Sequence, residues 1–216
     1  MTDSNPADDL GPITDDNQDP EARARALQSL LIERDLLSTD LVDDIVSKYE
    51  EDIGPMRGAS VVARAWSDPE YKQELLANPT EVLDEHGYTG LDGIEIDVVE
   101  NTPDVHNVMV CTLCSCFPWP VLGLPPTWYK SPEYRSKMVK RPRETLRTDF
   151  GMDIDDDVEI RVRDASGEIR YLVLPQQPAG ATDLSVQELT ALVSRDAMIG
   201  VERLGDCHVD TLSEVR

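Results

Sequence analysis

Three of the four cysteines of this chain fall within six residues, at Cys111, Cys114 and Cys116, in the stretch VMVCTLCSCFPWPVLGLPP. A β-branched run precedes them and a proline-rich turn follows, so a strand delivers the chain directly into a short loop. The remaining cysteine, Cys207, lies near the end of the sequence. Disulfide scaffolds of secreted domains distribute their cysteines across the fold. The clustering therefore indicates metal or redox chemistry.

The charge balance excludes two classes of partner. The chain has 43 acidic and 20 basic residues and a formal net charge of −23. Such a charge repels nucleic-acid phosphates and anionic membrane surfaces. No apolar stretch is long enough to span a bilayer, and MTDSNPADDL lacks the basic and apolar parts of a signal peptide. We therefore expect a cytoplasmic protein.

The hydrophobic pattern predicts a helical first half. Residues 1–19 combine acids, Asn and Pro and predict a disordered acidic arm. Apolar residues at helical spacing then predict a helical N-terminal arm over 20–89, with a break near Pro69. Ser38, Thr39 and Asp40 are the candidates for the N-cap of a second helix. Residues 90–205 are expected to form a metal-binding catalytic domain and 206–216 a flexible tail.

The pattern changes to strands after residue 90. IEIDVVEN and VHNVMV alternate around the turn TPD, and VEIRVRD and EIRYLVLP predict a hairpin around ASGE. Helices are predicted in SPEYRSKMVKRPRETLRTDFG, broken at Pro142, and as one last helix in SVQELTALVSRDAM, capped by Ser185. The fold class is therefore α+β, with a helical arm followed by mostly antiparallel strands flanked by helices.

Several metal chemistries remain open for the cysteine loop, residues 111–116. A structural zinc or an iron–sulfur cluster needs a fourth ligand, such as distant Cys207, and dithiol exchange leaves one thiol idle. In an open site, three thiolates reach one ion while the amides of Ser115 and Cys116 press against it. Thiolates with anionic amide nitrogens suit trivalent cobalt or iron. A sixth coordination position would remain for substrate.

VCTLCSC followed by PWPVLGLPPTWYKSPEYR resembles the metal-binding signature of the nitrile hydratase α subunit. The resemblance extends through GASVVARAWSDP, ENTPDVHNVMV, DVEIRVRDASGEIRYLVLPQQPAG and LVSRDAMIGV, over roughly residues 40–203. It implies hydration of a small nitrile to its amide at one Co(III), or less readily Fe(III), per chain. Thr112 is the residue type associated with cobalt members.

The resemblance also implies a role for each residue of the loop. Cys111 would be the axial thiolate, with Cys114, Cys116 and the amide nitrogens of Ser115 and Cys116 in the equatorial plane. Cys114 would be oxidised to sulfinic acid and Cys116 to sulfenic acid, as metal-bound thiolates are prone to be. The nitrile carbon, polarised by the metal, would be attacked by water or by the Cys116 sulfenate oxygen.

Three further positions carry weaker expectations. Trp119 is either a wall of the substrate pocket or a packed loop residue. Asp92 stands where many family members have glutamine, which puts that position in doubt. Arg170 matches a family arginine near the subunit interface, although an arginine in a strand is most often solvated. The histidines show no metal-ligand spacing to one another and are expected to be structural or exposed.

The oxidised cysteines require cationic donors. The nearest basic residues, Lys130 and Arg135, follow a rigid turn, so nothing next to the loop is expected to supply them. The resemblance implies that two arginines of a β subunit do so, within an αβ or α2β2 hetero-oligomer that is inactive without its partner. Two alternatives remain: a γ-type subunit of thiocyanate hydrolase, and a non-catalytic zinc or metal-delivery module.

Overall fold

The computed structural model describes residues 20–47, 56–88, 95–113 and 116–205. The chain divides into two units, with the boundary between Val46 and Ser47. The predicted acidic arm and the predicted tail lie outside the described residues, and the predicted domain limits stay predictions.

The first unit contains helix α1 (Pro20–Glu33) and most of helix α2 (Thr39–Ser47). The hydroxyl of Ser38 accepts a hydrogen bond from the backbone N–H of Leu41 at 3.1 Å. This is the N-cap geometry that the sequence predicts for the second helix. Leu27 and Leu30 on α1 remain 60% and 47% exposed.

The second unit begins with three consecutive helices, α3 (Met56–Ser67), α4 (Pro69–Ala77) and α5 (Pro79–Glu85). Asp68 follows α3 and is the N-cap of α4. Its carboxylate accepts hydrogen bonds from the backbone N–H groups of Glu70 and Tyr71. Proline at the first position of α4 and of α5 is compatible with a helix start, where no intrahelical N–H is needed. The predicted break at Pro69 is confirmed.

The strands are β1 (Glu95–Glu100), β2 (Val105–Val110), β3 (Glu159–Asp164) and β4 (Ile169–Leu174). They form two separate two-stranded sheets, and both pairs are parallel. In the first sheet β1 pairs with β4, and in the second β2 pairs with β3. The expectation of mostly antiparallel strands is wrong, and so is the predicted hairpin between β3 and β4.

The hairpin prediction fails because the short connections from β1 to β2 and from β3 to β4 each carry the chain from one sheet to the other. Ser166 donates its N–H to the carbonyl of Ile169, so ASGE does form a tight turn, while the N–H of Ala165 bonds to Val110 in the other strand of the β3 sheet. A turn signal alone does not distinguish a hairpin from such a corner. β2 and β4 are buried along almost their whole length, which is typical of parallel strands.

The proline-rich segment after the cysteine loop folds into helix α6 (Trp119–Leu122) and a 3-10 helix (Thr127–Lys130). Helices α7 (Pro132–Lys140) and α8 (Pro142–Phe150) confirm the predicted break at Pro142. Ser185 forms a complete capping box with Glu188.

The last predicted helix is instead two, α9 (Val186–Leu192) and α10 (Arg195–Ile199). The single-helix prediction fails at Val193, whose backbone is extended, and at Ser194, whose hydroxyl caps α10.

No helix within the described ranges is long and apolar enough to cross a membrane.

Candidate metal centre

Cys111 lies directly after β2 and is completely buried. The parallel pairing with β3 sets Val110, the last residue of β2, opposite Asp164, the last residue of β3. The ends of these two strands therefore lie side by side where the cysteine loop begins. The position of the first thiol is fixed by the sheet.

The first residue after Cys111 is held by Asp164. Its carboxylate accepts the backbone N–H of Thr112 at 2.9 Å and the hydroxyl of Thr112 at 2.6 Å. A hydrogen bond to a charged acceptor is stronger than one between neutral groups. Thr112 thus leaves the strand in a defined direction, which orients the chain that enters the loop.

Arg135 on α7 brings a cation to the same place. Its Nη1 lies 3.4 Å from the carbonyl oxygen of Thr112. This contact is with a backbone carbonyl, so the expectation that nothing next to the loop supplies cations to the oxidised cysteines stays a prediction. A cavity of about 320 Å³ opens here, and Lys140 adds a second cation to its lining of Thr112, Pro132, Arg135, Ser136, Val139 and Lys140.

Tyr129 holds the far end of the loop. Its hydroxyl donates to the carbonyl oxygen of Cys116 at 3.0 Å, and its side chain is completely buried. Burial raises the pKa of Tyr129, and the negative charges of Cys111, Cys116 and Asp164 raise it further, while Arg170 lowers it. The phenol therefore stays protonated and remains a hydrogen-bond donor at neutral pH.

Arg170 is only 9% exposed, so the expectation of a solvated strand arginine is wrong. Its Nη1 donates to the backbone carbonyls of Ser166 and Ile169. Its Nε is buried without a hydrogen-bond partner among the described residues. The buried guanidinium therefore keeps one N–H without a partner in the part of the chain that the structure describes, and its positive charge acts on Tyr129.

The structure brings together only part of the predicted site. Cys114, Ser115 and Asp92 lie outside the described residues. Cys116 is half-buried, and Trp119 begins α6, half-buried and packed against the core. This packing fits the expectation of a packed loop residue, and the pocket role of Trp119 stays a prediction.

Two described histidines are not arranged as ligands of this site. His106 is buried with both ring nitrogens engaged, Nε2 with Gly200 and Nδ1 with Asn101. His86 is exposed and its Nε2 lies 3.3 Å from Arg64. In the ranges that the structure describes, no three His, Cys, Asp or Glu side chains converge on one point.

The donor set fits a metal held by the loop itself. Two of its three thiols, those of Cys111 and Cys116, stand at loop ends that β2 and Tyr129 hold in place. Cys111 is completely buried and Cys116 is half-buried, and sulfur donors of this kind suit a soft transition-metal ion.

Sequence reasoning named Arg135 as a nearby basic residue but missed the contacts that Asp164, Tyr129 and Arg135 make with the loop. Asp164 ends EIRVRD and could have been placed beside Thr112 only if β2 and β3 had been paired in parallel. Tyr129 and Arg135 follow the loop by 13 and 19 positions in a segment where the direction of the chain depends on the turns at its prolines. No local pattern signals either contact.

Comparison with known proteins places this geometry in a family. The family model described as "Nitrile hydratase, alpha chain" matches residues 18–202. The α subunit of the high-molecular weight cobalt-containing nitrile hydratase of Rhodococcus rhodochrous is 56% identical over 181 residues, covering 84% of this chain and 89% of that protein.

Two further relatives extend the comparison. The γ subunit of thiocyanate hydrolase from Thiobacillus thioparus is 37% identical over 202 residues, covering 88% of this chain and 82% of that subunit. A solved double mutant of the Fe-type nitrile hydratase of Comamonas testosteroni Ni1 superposes with a TM-score of 0.80 at 38% identity, covering 86% and 90% of the two chains. The chain belongs to the nitrile hydratase α-chain family.

Proposed function

We propose that this chain is the metal-binding α subunit of a cobalt-type nitrile hydratase, an enzyme that adds water to a neutral nitrile and forms the amide. The observation that carries the proposal is the fixation of the cysteine loop at both ends. Asp164 holds Thr112 where the loop begins, and Tyr129 holds Cys116 where it ends. A loop fixed in this way can present several sulfur and nitrogen donors to one ion.

Cobalt(III) would be held by the thiolates of Cys111, Cys114 and Cys116 and by the amide nitrogens of Ser115 and Cys116, with one ion per chain. When bound, it supplies a Lewis acid that polarises the C≡N bond of the substrate. Cobalt is favoured over iron by Thr112 and by the cobalt-containing relative at 56% identity. Iron remains the second choice, since an Fe-type enzyme shares the fold.

The residues of this chain then have separable tasks. Cys114 would be present as sulfinic acid and Cys116 as sulfenic acid, and the Cys116 oxygen would attack the nitrile carbon or take a proton from the attacking water. Tyr129 keeps a buried hydrogen-bond donor on the Cys116 backbone, and Arg170 keeps a buried Nε–H that has no partner among the described residues. Trp119 and Asp92 are proposed to border the substrate, where a tryptophan ring would exclude water from an apolar nitrile.

A partner subunit completes the site. Leu113 in the loop is 81% exposed and Val139 beside the cavity is 49% exposed. We propose that a partner protein covers these two side chains, since the similar proteins are themselves named as subunits. We assign this surface to a β subunit that also supplies arginines to the oxidised cysteines, in an αβ or α2β2 assembly. Arg170 is proposed to face that interface.

Thiocyanate hydrolysis is the second candidate, because Arg135 and Lys140 line a cavity next to the loop and cations would attract an anionic substrate. The higher identity to the nitrile hydratase subunit favours the neutral substrate. The αβ complex should therefore be assayed with a small aliphatic nitrile and with thiocyanate. Faster amide formation supports the proposal, and preferential turnover of thiocyanate overturns it.

A non-catalytic module would differ from both enzymes in the metal that it binds and in the oxidation state of its cysteines. Metal analysis together with the mass of the peptide that contains residues 111–116 decides the matter. Cobalt with one sulfinic and one sulfenic acid supports the hydratase. Zinc bound to unmodified cysteines would instead identify a structural or metal-delivery module.

A further inference from the structure

Tyr129 contacts the cysteine loop at a point where neither strand nor helix fixes the backbone. Cys116, the last residue of the loop, and residues 117 and 118, which lead into α6, are in irregular structure. The Tyr129 hydroxyl reaches this segment from 13 residues further along the chain and donates to the Cys116 carbonyl at 3.0 Å. The contact therefore fixes a backbone group that the strands do not reach.

The ring that carries this hydroxyl is held rigidly. Tyr129 packs edge to face against Phe117 at 5.0 Å and against Trp128 at 6.1 Å, and lies tilted against Tyr134 at 5.7 Å between centroids. Aromatic pairs prefer such offset and edge-to-face arrangements. Because the side chain is completely buried, its hydroxyl cannot turn to water. Its donor direction is set before any ligand binds.

The orientation of the Cys116 carbonyl has a direct effect on the thiol. The carbonyl carbon and the side chain of Cys116 leave the same Cα, so fixing the plane of the following peptide restricts how the Sγ is presented. A metal ligand that is held in one orientation binds more tightly and is less easily exchanged, as groups that support metal ligands in other proteins show. A mobile Cys116 would leave the far end of the loop open.

We propose that Tyr129 is a positioning residue that closes the metal loop by fixing the Cys116 backbone. The inference rests on the proposed function, because it requires an ion held by residues 111–116. Tyr129 touches neither the metal nor the substrate in this role. It acts on the presentation of Cys116, and so on the retention of the ion and on the oxidation of the loop cysteines.

Tyr134 provides a matched control in the same aromatic cluster. Its hydroxyl also donates to a backbone carbonyl, that of Met109 at 2.6 Å, and its side chain is only 5% exposed. Met109 lies within β2, where pairing with β3 already fixes the backbone. Removing either hydroxyl deletes one buried hydrogen bond, but only the bond from Tyr129 supports the loop.

The test compares Tyr129→Phe with Tyr134→Phe, each produced together with the β subunit. For each complex we would measure cobalt per α chain, the mass of the peptide containing residues 111–116, the thermal unfolding temperature and nitrile turnover. Both variants should unfold at a similarly lowered temperature. Tyr129→Phe alone should lose cobalt and cysteine oxygens, with about tenfold lower turnover. Loss of a group that supports a metal ligand lowers metal affinity or activity about 10- to 100-fold.

A third variant replaces Tyr129 by 4-aminophenylalanine, which keeps an N–H donor at the same place on the ring. This protein should regain the cobalt and oxygens of the wild type even if Tyr129→Phe accumulates poorly. Failure to regain them, despite normal unfolding, would overturn the proposal. So would full cobalt and oxygen content in folded Tyr129→Phe, or equal losses in Tyr129→Phe and Tyr134→Phe.

Failure of the proposed function gives a different result. In that case the wild-type complex itself would carry no trivalent cobalt or iron and no oxidised cysteine. The role of Tyr129 would then fall with it, whereas a normally loaded wild type with an unaffected Tyr129→Phe would refute the positioning role alone.

Discussion

The carboxylate of Asp164 accepts both the backbone N–H and the hydroxyl of Thr112, at 2.9 and 2.6 Å. Asp164 ends β3 and Thr112 follows β2, so this contact depends on the parallel pairing of the two strands. It joins the sheet to the first turn of the cysteine loop. The entrance of the loop is therefore set by tertiary structure, not by the loop sequence alone.

Replacing Asp164 by Ala should loosen this entrance. Both hydrogen bonds are near solvent, so we expect a loss of about 1 kcal/mol in the free energy of unfolding, together with reduced cobalt content in the complex. Thr112→Val removes only the hydroxyl bond and should have about half of the effect. Urea unfolding and metal analysis provide the two measurements.

Asp157→Ala is the control, because it removes an equal charge from an exposed position just before β3. Cobalt content should stay at the wild-type level in this variant. If Asp157→Ala and Asp164→Ala lowered cobalt equally, the effect would come from charge and not from the contact with Thr112.

Arg143 on α8 fastens the segment that leads into β3. Its guanidinium donates to the backbone carbonyls of Ile154, Asp155 and Val158 at 2.7, 2.6 and 2.7 Å. Arg143→Ala leaves these carbonyls without their donor and should lower the free energy of unfolding by about 3 kcal/mol. Arg143→Lys should recover only a minor part, since an ammonium cannot reproduce the planar fork.

The neighbouring Arg141 tests whether loss of charge explains the effect. Its exposed ion pair with Glu144 at 3.2 Å should contribute at most about 0.5 kcal/mol. Chemical denaturation of Arg141→Ala and Arg143→Ala under the same conditions gives the comparison. Equal destabilisation by the two substitutions would contradict the assigned contacts.

The hydrogen bonds of His106 fix its protonation state. Asn101 uses its side-chain oxygen to accept the N–H of Asn107, so its amide nitrogen faces His106 Nδ1 at 3.3 Å. Nε2 donates to the Gly200 carbonyl at 2.8 Å. Nδ1 must therefore be the unprotonated nitrogen, and a second proton would face an N–H group.

Burial, assisted by the charge of Arg203, lowers the pKa of His106, while the bond to Gly200 opposes this shift. The folded state thus binds the proton less readily than the unfolded chain. Stability from neutral His106 is fully present above the ordinary histidine pKa of about 6.5 and is lost as the pH falls through the lowered value. The free energy of unfolding should decline by up to about 1.4 kcal/mol per pH unit in that window.

His106→Gln keeps an amide that can donate toward Gly200 but cannot take up a proton near neutral pH. Urea unfolding between pH 8 and pH 5 should show a smaller decline for this variant than for the wild type. Parallel curves for the two proteins would show that His106 does not carry the pH dependence.

Much of the helical part was predictable because its signals are local. Pro69 and Pro142 remove a backbone N–H inside helical patterns, and the structure begins new helices at both residues. Ser185 and Glu188, three residues apart, match the sequence signature of a capping box, and the structure contains that capping box. The second start at Ser194 cannot be predicted in this way, because SVQELTALVSRDAM keeps a helical period through Val193, where tertiary packing prevails.

Strand pairing could not be predicted from the same kind of signal. The four strands were found, but ASGE indicates only a turn and says nothing about whether the next strand stays in the same sheet. The contacts of Asp164, Tyr129 and Arg135 with the cysteine loop follow from that pairing and from the path through the proline-rich segment. The cysteine spacing and the resemblance pointed to the metal loop, whereas the residues that hold it required the fold.

The central claim is that the cysteine loop holds a trivalent ion through sulfur and backbone nitrogen and leaves one position for substrate. X-ray absorption at the metal edge of the purified αβ complex tests it most directly. We predict cobalt with three sulfur neighbours and two nitrogen neighbours, together with one light and exchangeable neighbour. A tetrahedral ion bound only by four side chains, including ligands from outside residues 111–116, would contradict the account.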